Sequence, residues 1–275
     1  MWLRRCVLSA MGTELEQRCE GAELLRTALY KTNITLSDDQ VWLLARHLDL
    51  VIDKNQTMNL TRIGSVEDGV YLHVVDSLLL LNAFANAPAG PFVDVGTGAG
   101  FPGIPLAVAT GRKALLVDSV GKKAAAVREF MQALDMDARV EVSNERIEEL
   151  GRRRRGRYAV VTARAVAQTN VLVEYAAPLL ARGGRLVVAK ARPTDQEIVA
   201  ANKAARLCGL KIVSRETFEL PDGRGHREVL SYERVGNPAV KLPRAVGMAA
   251  SSLACRTCAL MVGRALGIPQ RPALL

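Results

Sequence analysis

The chain has 275 residues, 49% of them hydrophobic, enough to bury a sizeable core in one large domain or in a domain with an added cap. Its net charge of +9 is uneven, residues 1–145 summing to −4 and residues 146–275 to +13, so a polyanionic partner is expected at the second half. No uninterrupted apolar run nears the roughly 20 residues that cross a bilayer, the five cysteines are odd in number and mostly isolated, and aromatic residues are only 4%, which sets aside a membrane span, a disulfide framework and a broad stacking platform for single strands.

In chain order, residues 1–15 read as a disordered extension. Arg4 and Arg5 before a short apolar run imitate a signal peptide only faintly, and Met11 is an alternative start. Residues 16–88 read as an N-terminal helical cap. Within it Ser37 caps a helix whose Val41, Leu44, Leu48 and Val51 recur at helical spacing, with Asp38 and Asp39 complementing the helix dipole. A polar connector, Asn55–Ile63, leads to a second helix around Val70–Phe84, interrupted by His73, Asp76 and Asn82. From 89 to 236 the pattern alternates: strand 92–95, helix 103–110, strand 114–117, helix 121–134, strand 138–142, short helix 145–150, strand 158–162, helix 169–181, strand 185–190 and helix 195–208. Lys211–Phe218 and Val229–Arg234 follow without an intervening helix and should pair antiparallel. Residues 237–275 form a tail. The expected fold is α/β and Rossmann-like, a mostly parallel seven-stranded sheet ending in an antiparallel hairpin.

The most informative stretch is FVDVGTGAGFPGIPLAVA, residues 92–109, a buried-type strand running into a glycine-rich turn and then a packed helix. Gly96, Gly98, Gly100 and Gly103 let the backbone approach a ligand where a Cβ would collide, and the loop amides and helix N-terminus are expected to face it. The third glycine comes one residue earlier than in the dinucleotide fingerprint G-x-G-x-x-G, which favours S-adenosylmethionine over a nicotinamide dinucleotide. Asp94, at the strand end, is placed to hold the ligand's ammonium group, directly or through water. Asp118 ends the next strand where doubly wound folds hold ribose hydroxyls. The candidate cofactor set therefore includes Asp94, Gly96, Thr97, Gly98, Gly100, Asp118 and Ser119; the alternative is a purely structural turn.

The densest basic cluster, Arg152–Arg157, is consistent with RNA phosphate contact, with Arg153 and Arg154 as substrate candidates; the alternative is a solvated loop. Arg164 and Lys190, at the ends of adjacent strands, could anchor RNA phosphate or a base edge. His73 and Asp76 share a helical face as a polar lid or, by slight preference, a helix-docking set. Cys255-x-x-Cys258 has the spacing of half a zinc site without a second half, so no metal is expected.

Several motifs in one order carry a resemblance: Asn59-Leu60-Thr61, His73-x-x-Asp76-Ser77, DVGTGAGFPGIPL, Asp118-Ser119-x-Gly121-Lys122, Arg146-Ile147-Glu148-Glu149, Thr162-Ala163-Arg164-Ala165, Lys190 and Leu242-Pro243-Arg244. From about Thr35 to Leu253 the chain resembles the bacterial 16S ribosomal RNA guanine-N7 methyltransferases of the RsmG (GidB) family. The resemblance implies S-adenosyl-L-methionine as cofactor, held by Gly96 and Phe101, with Ile147 and Glu148 lining the adenine and Arg164 at the cofactor. It implies methylation of N7 of a guanine, guanine 527 in ribosomal RNA numbering, in 16S rRNA or a small-subunit particle, in the cytoplasm. That chemistry requires positioning rather than a general base, so no residue is assigned a proton-transfer role. Other classes remain: a catalytically silent ribosome-assembly factor that binds RNA, or a small-molecule methyltransferase. Nothing in the sequence requires more than a monomer.

Overall fold

A computed structural model describes residues 21–250 of the chain. The expectations for residues 1–15 and for Cys255 and Cys258 lie outside the described residues. The cap consists of α1 (residues 21–31), α2 (Asp38–Asn55) and α3 (Val66–Ala85). Ser37 begins α2 with a capping box, its hydroxyl accepting from the Gln40 N–H while Gln40 accepts from the Ser37 N–H. Ser65 caps α3 four residues ahead of the expected start. This helix is not uniform: Val70–Val75 forms a π-helical turn, and Leu79–Leu80 breaks the spiral again before Leu81–Ala85. Its length and hydropathy would suit a bilayer span, but most of it is packed inside the protein, as a core helix requires.

Seven strands follow: β1 (Phe92–Val95), β2 (Ala114–Val117), β3 (Val140–Ser143), β4 (Tyr158–Arg164), β5 (Leu180–Lys190), β6 (Leu210–Leu220) and β7 (Gly225–Arg234). They form one sheet in the order β3-β2-β1-β4-β5-β7-β6, parallel except for β7, which is antiparallel to both neighbours. The connecting helices are α4 (Gly103–Thr110), α5 (Gly121–Ala133), α6 (Ile147–Arg153), α7 (Thr169–Ala176) and α8 (Asp195–Leu207). The expected late hairpin is present but longer, with only residues 221–224 left for its turn. The helix expected over 169–181 stops at Ala176: Pro178 has no N–H to continue the ladder, and β5 already starts at Leu180.

Alternation along the strands sends successive side chains to opposite faces. Phe92, Leu116, Val160 and Val187 join a core with α1–α5 that runs back to Leu25, Leu44, Leu48 and Phe84. Val93, Leu115, Val161, Leu186 and Leu230 face α6–α8 instead. The cap and the sheet thus share one apolar interior. After β3 the chain crosses back to β4 beside β1, so the loops leaving β1 and β4 diverge and open a crevice at the carboxyl ends of the strands, the position where open α/β sheets bind ligands.

Candidate cofactor and substrate site

The crevice floor is the glycine loop. Because Phe92 and Asp94 share a face of β1, Asp94 points beneath the loop towards α4, where it is fully buried and its Oδ2 accepts the Gly103 N–H at 2.9 Å. Gly103 is required there: a Cβ would stand 2.3 Å from Leu116 Cδ2 and 2.7 Å from Asp94 Oδ2. Burial pushes the Asp94 pKa up to about 7, against the opposing pull of Thr97, the Gly103 N–H and Arg164. Asp94 thus pins the loop to the helix through Oδ2, while its Oδ1 is buried without a hydrogen-bond partner.

The loop amides also differ from expectation. Gly96 and Thr97 both donate to the Val117 carbonyl at 2.8 and 3.0 Å, Gly98 donates to Asp118 Oδ2 at 3.0 Å, and Gly100 and Phe101 donate to the Thr97 carbonyl. They close the loop rather than line a ligand. What faces outward is bare backbone at Gly98, with φ of +60°, where a Cβ would find only the Gly96 carbonyl oxygen, 4.0 Å away. Any side chain there would be strained and would enter the crevice.

Asp118 sits at the end of β2, 7% exposed, accepting the Gly98 and Val120 N–H groups on separate oxygens. Each carboxylate oxygen has a second lone pair, so the acid holds the loop and retains capacity for hydroxyls. Ser119 beside it is exposed. Ile147 and Glu148 open α6, both buried. Glu148 Oε1 accepts the Gly247 N–H at 2.9 Å, tying the C-terminal segment to this edge of the crevice. Bare backbone at Gly98 and the spare acceptor capacity of Asp118 suit the close approach and hydroxyl groups of S-adenosylmethionine.

Across the crevice, Arg164 ends β4 and reaches the cap. Its Nη1 donates to Asp76 Oδ2 at 2.8 Å and to the Leu72 and His73 carbonyls, and its Nη2 donates to His73 Nδ1 at 3.2 Å. Arg227 of β7 donates through Nε to the other Asp76 oxygen at 2.7 Å. Asp76 is only 5% exposed. The π-helical turn carries His73 and delivers Asp76 directly after it. Since guanidinium only donates, His73 Nδ1 is the acceptor, and Nε2 carries the proton towards Thr61 Oγ1, 2.8 Å away. Burial and the neighbouring Arg164 charge lower the His73 pKa to about 3, so the ring is neutral. It stacks on Phe101 at 4.5 Å, with His47 on another side of that ring at 4.6 Å. The Phe101 side chain is thus a packing hub between the cap and the glycine loop.

Arg164, Lys190, Arg227, His73 and Asp76 border a cleft of about 430 Å³. Lys190 Nζ is held by the Ala167 carbonyl at 2.7 Å and Glu197 at 2.8 Å. The structure therefore brings Arg164 and Lys190 together as expected, and adds Arg227 and Thr61, which sequence reasoning did not assign. Arg153 and Arg154 are not part of this cleft. They lie where α6 leads into the start of β4, at the other end of the sheet, and pair with Glu145 and Glu141. Arg152 and Arg155 donate to the carbonyls of Arg244 and Leu242, and Arg244 pairs bidentately with Glu174 at 2.6 Å. Four arginines of the run, Arg152 to Arg155, thus engage the chain's own acids and C-terminal segment, while Arg157 forms no ion pair with a described residue.

The strand order, the loop at the switch point and the strand-end acid define a Rossmann-like methyltransferase. The family model for rRNA small subunit methyltransferase G (GidB) matches residues 40–225. Proteins named ribosomal RNA small subunit methyltransferase G from Chloroflexus aggregans and Carboxydothermus hydrogenoformans are 40% and 34% identical, over 79% and 82% of this chain and 91% and 96% of theirs. A crystal structure of a Corynebacterium glutamicum protein superimposes with a TM-score of 0.50 at 18% identity, covering 78% of this chain and 97% of that one. The chain belongs to the rRNA small subunit methyltransferase G family, and its methyl donor is S-adenosylmethionine.

Two outcomes test this geometry. Asp76→Ala leaves two guanidinium groups facing a vacated buried position and should cost roughly 3–5 kcal/mol in urea unfolding. For Asp94, a folded pKa raised from 3.8 to about 7 means that stability is greatest below 3.8 and is lost as pH rises through 7. Asp94→Asn should therefore gain on the native protein between pH 4 and 8, by an amount on the order of a few kcal/mol. His47 and His73, lowered to about 4 and 3, act oppositely in that window by weakening the fold as pH falls, so the difference between the two proteins is the diagnostic quantity.

Proposed function

We propose that the protein methylates N7 of a guanine in 16S ribosomal RNA, guanine 527 in ribosomal RNA numbering, acting on the small subunit or its assembly intermediate. The observation that carries this reading is the cleft bordered by Arg164, Lys190 and Arg227, whose Arg164 and His73 pack on Phe101 of the glycine loop, in a chain of this family. When bound, S-adenosylmethionine supplies an electrophilic methyl group on a sulfonium. Guanine N7 carries an exposed lone pair and no proton, so the protein need only hold it about 3 Å from that methyl, in line with the departing sulfur. His73 is neutral and its tautomer is fixed, so it adds no positive charge near a cationic donor. Arg227 and Lys190 present donors suited to the guanine O6 or a flanking phosphate. A rigid, prepaired set of donors stabilises such a transfer without a general base.

The deciding experiment is transfer of labelled methyl from S-adenosylmethionine to bacterial small-subunit particles, followed by nuclease mapping. 7-Methylguanosine at one 16S position is the expected product; cofactor binding without transfer would favour an assembly factor instead. A second prediction concerns the cofactor alone. Asp118→Ala removes a charged acceptor for the ligand and for the Gly98 and Val120 amides, an effect of roughly 1.5–3 kcal/mol. Calorimetry should show a Kd for S-adenosylmethionine raised about 10- to 150-fold.

A further inference from the structure

At the end of the sheet away from the glycine loop, where β1, β2 and β4 begin, lies a separate cleft of about 600 Å³. Its floor is the start of the strands at Pro91, Ala114 and Tyr158. Lys113, Arg139 and Arg157 line it, and none of the three forms an ion pair with a described residue. In the wall of the same cleft Arg154 is neutralised by Glu141. Arg139 adds a sharper sign: its Nε is buried without a hydrogen-bond partner, a state that costs free energy unless an acceptor arrives. Asp137, exposed on the rim, is the remaining carboxylate, so the lining keeps a net positive charge.

We propose that this cleft is a second anion site that takes a phosphate group, with a phosphodiester of the ribosomal RNA as its occupant. Three unneutralised cations around a concave floor suit a tetrahedral oxyanion, which accepts from several donors at once. Arg139 offers a fixed fork and Lys113 and Arg157 mobile charges at the mouth. Its location on the far end of the sheet would give a folded RNA a hold independent of the reacting base. This assignment rests on the reading that the substrate is RNA, but its test does not require catalysis.

The test uses the full chain and the triple variant Lys113→Gln, Arg139→Gln, Arg157→Gln, with equilibrium binding to 16S rRNA measured over a salt series. Loss of three phosphate-neutralising charges should weaken binding at moderate salt by about 10-fold or more and flatten the slope of log K against log salt by up to about 3. The Kd for S-adenosylmethionine should be unchanged, because the cleft and the glycine loop are at opposite ends of the strands. A parallel arm follows the melting temperature of both proteins with added inorganic phosphate. Stabilisation of the native protein alone, with RNA binding unaltered, would assign the site to a free phosphate and overturn the RNA assignment. No change in either arm would overturn the anion site altogether. Should the partly buried Arg139 position prevent folding, the double variant Lys113→Gln, Arg157→Gln carries the same comparison with a slope change of about 2. Failure of methyl transfer by the native protein would refute the proposed activity while leaving this binding comparison readable.

Discussion

The site depends on one buried carboxylate. Asp76 gives one oxygen to Arg164 and the other to Arg227, so a single side chain in the cap joins the end of β4 to the sheet's antiparallel strand. A lone carboxylate in this position would be costly, and either guanidinium alone would be a buried excess charge. Together they form a closed arrangement, with Arg164 further fixed by the Leu72 and His73 carbonyls and by His73 Nδ1. That arrangement sets the imidazole tautomer, and the imidazole in turn lies flat on Phe101 in the glycine loop. The cap, the loop and both arms of the cleft are therefore positioned by one ion cluster. The π-helical turn is the local irregularity that brings His73 and Asp76 to it.

Much of this was legible in the sequence where the signal is local. The glycine loop, the two strand-end acids and the alternation from 92 onwards mark a sheet and a crevice because hydrophobic period and turn chemistry act within a few residues. The helix-docking alternative for His73 and Asp76 is also what the structure contains. What was not legible depends on partners far away in the chain. Asp76 meets Arg164 across 88 residues and Arg227 across 151, separations at which spacing carries no information. Asp94 shows the same limit at shorter range. Its strand-end position was correct, yet whether it faces the ligand or the underside of the loop was set by strand parity and by the lack of a Cβ at Gly103.

The charge asymmetry has a related explanation. Dividing the sequence after residue 145 places Glu141 and Glu145 in the acidic half and the arginines they bind, Arg154 and Arg153, in the basic one. The same holds for Asp76 with Arg164 and Arg227, and for Glu67 and Asp68 with Arg224. Much of the apparent surplus is thus an internal ledger between cap and sheet. The cations that matter for a polyanion are those left over after folding, among them Lys113, Arg139 and Arg157.

This sorting of charge bears on the chemistry. An alkylation at guanine N7 removes no proton, so a site gains nothing from groups that titrate near neutral pH and loses from any that add positive charge beside a sulfonium. Burial keeps both His47 and His73 neutral, and the Asp76 carboxylate shared by Arg164 and Arg227 offsets one of their two charges. The crevice therefore offers directional donors without a strongly cationic field. On the proposed reading, capture and transfer are separable tasks: long-range capture is tolerant of position and sensitive to salt, whereas transfer depends on placement at close range and is set by contacts screened from solvent.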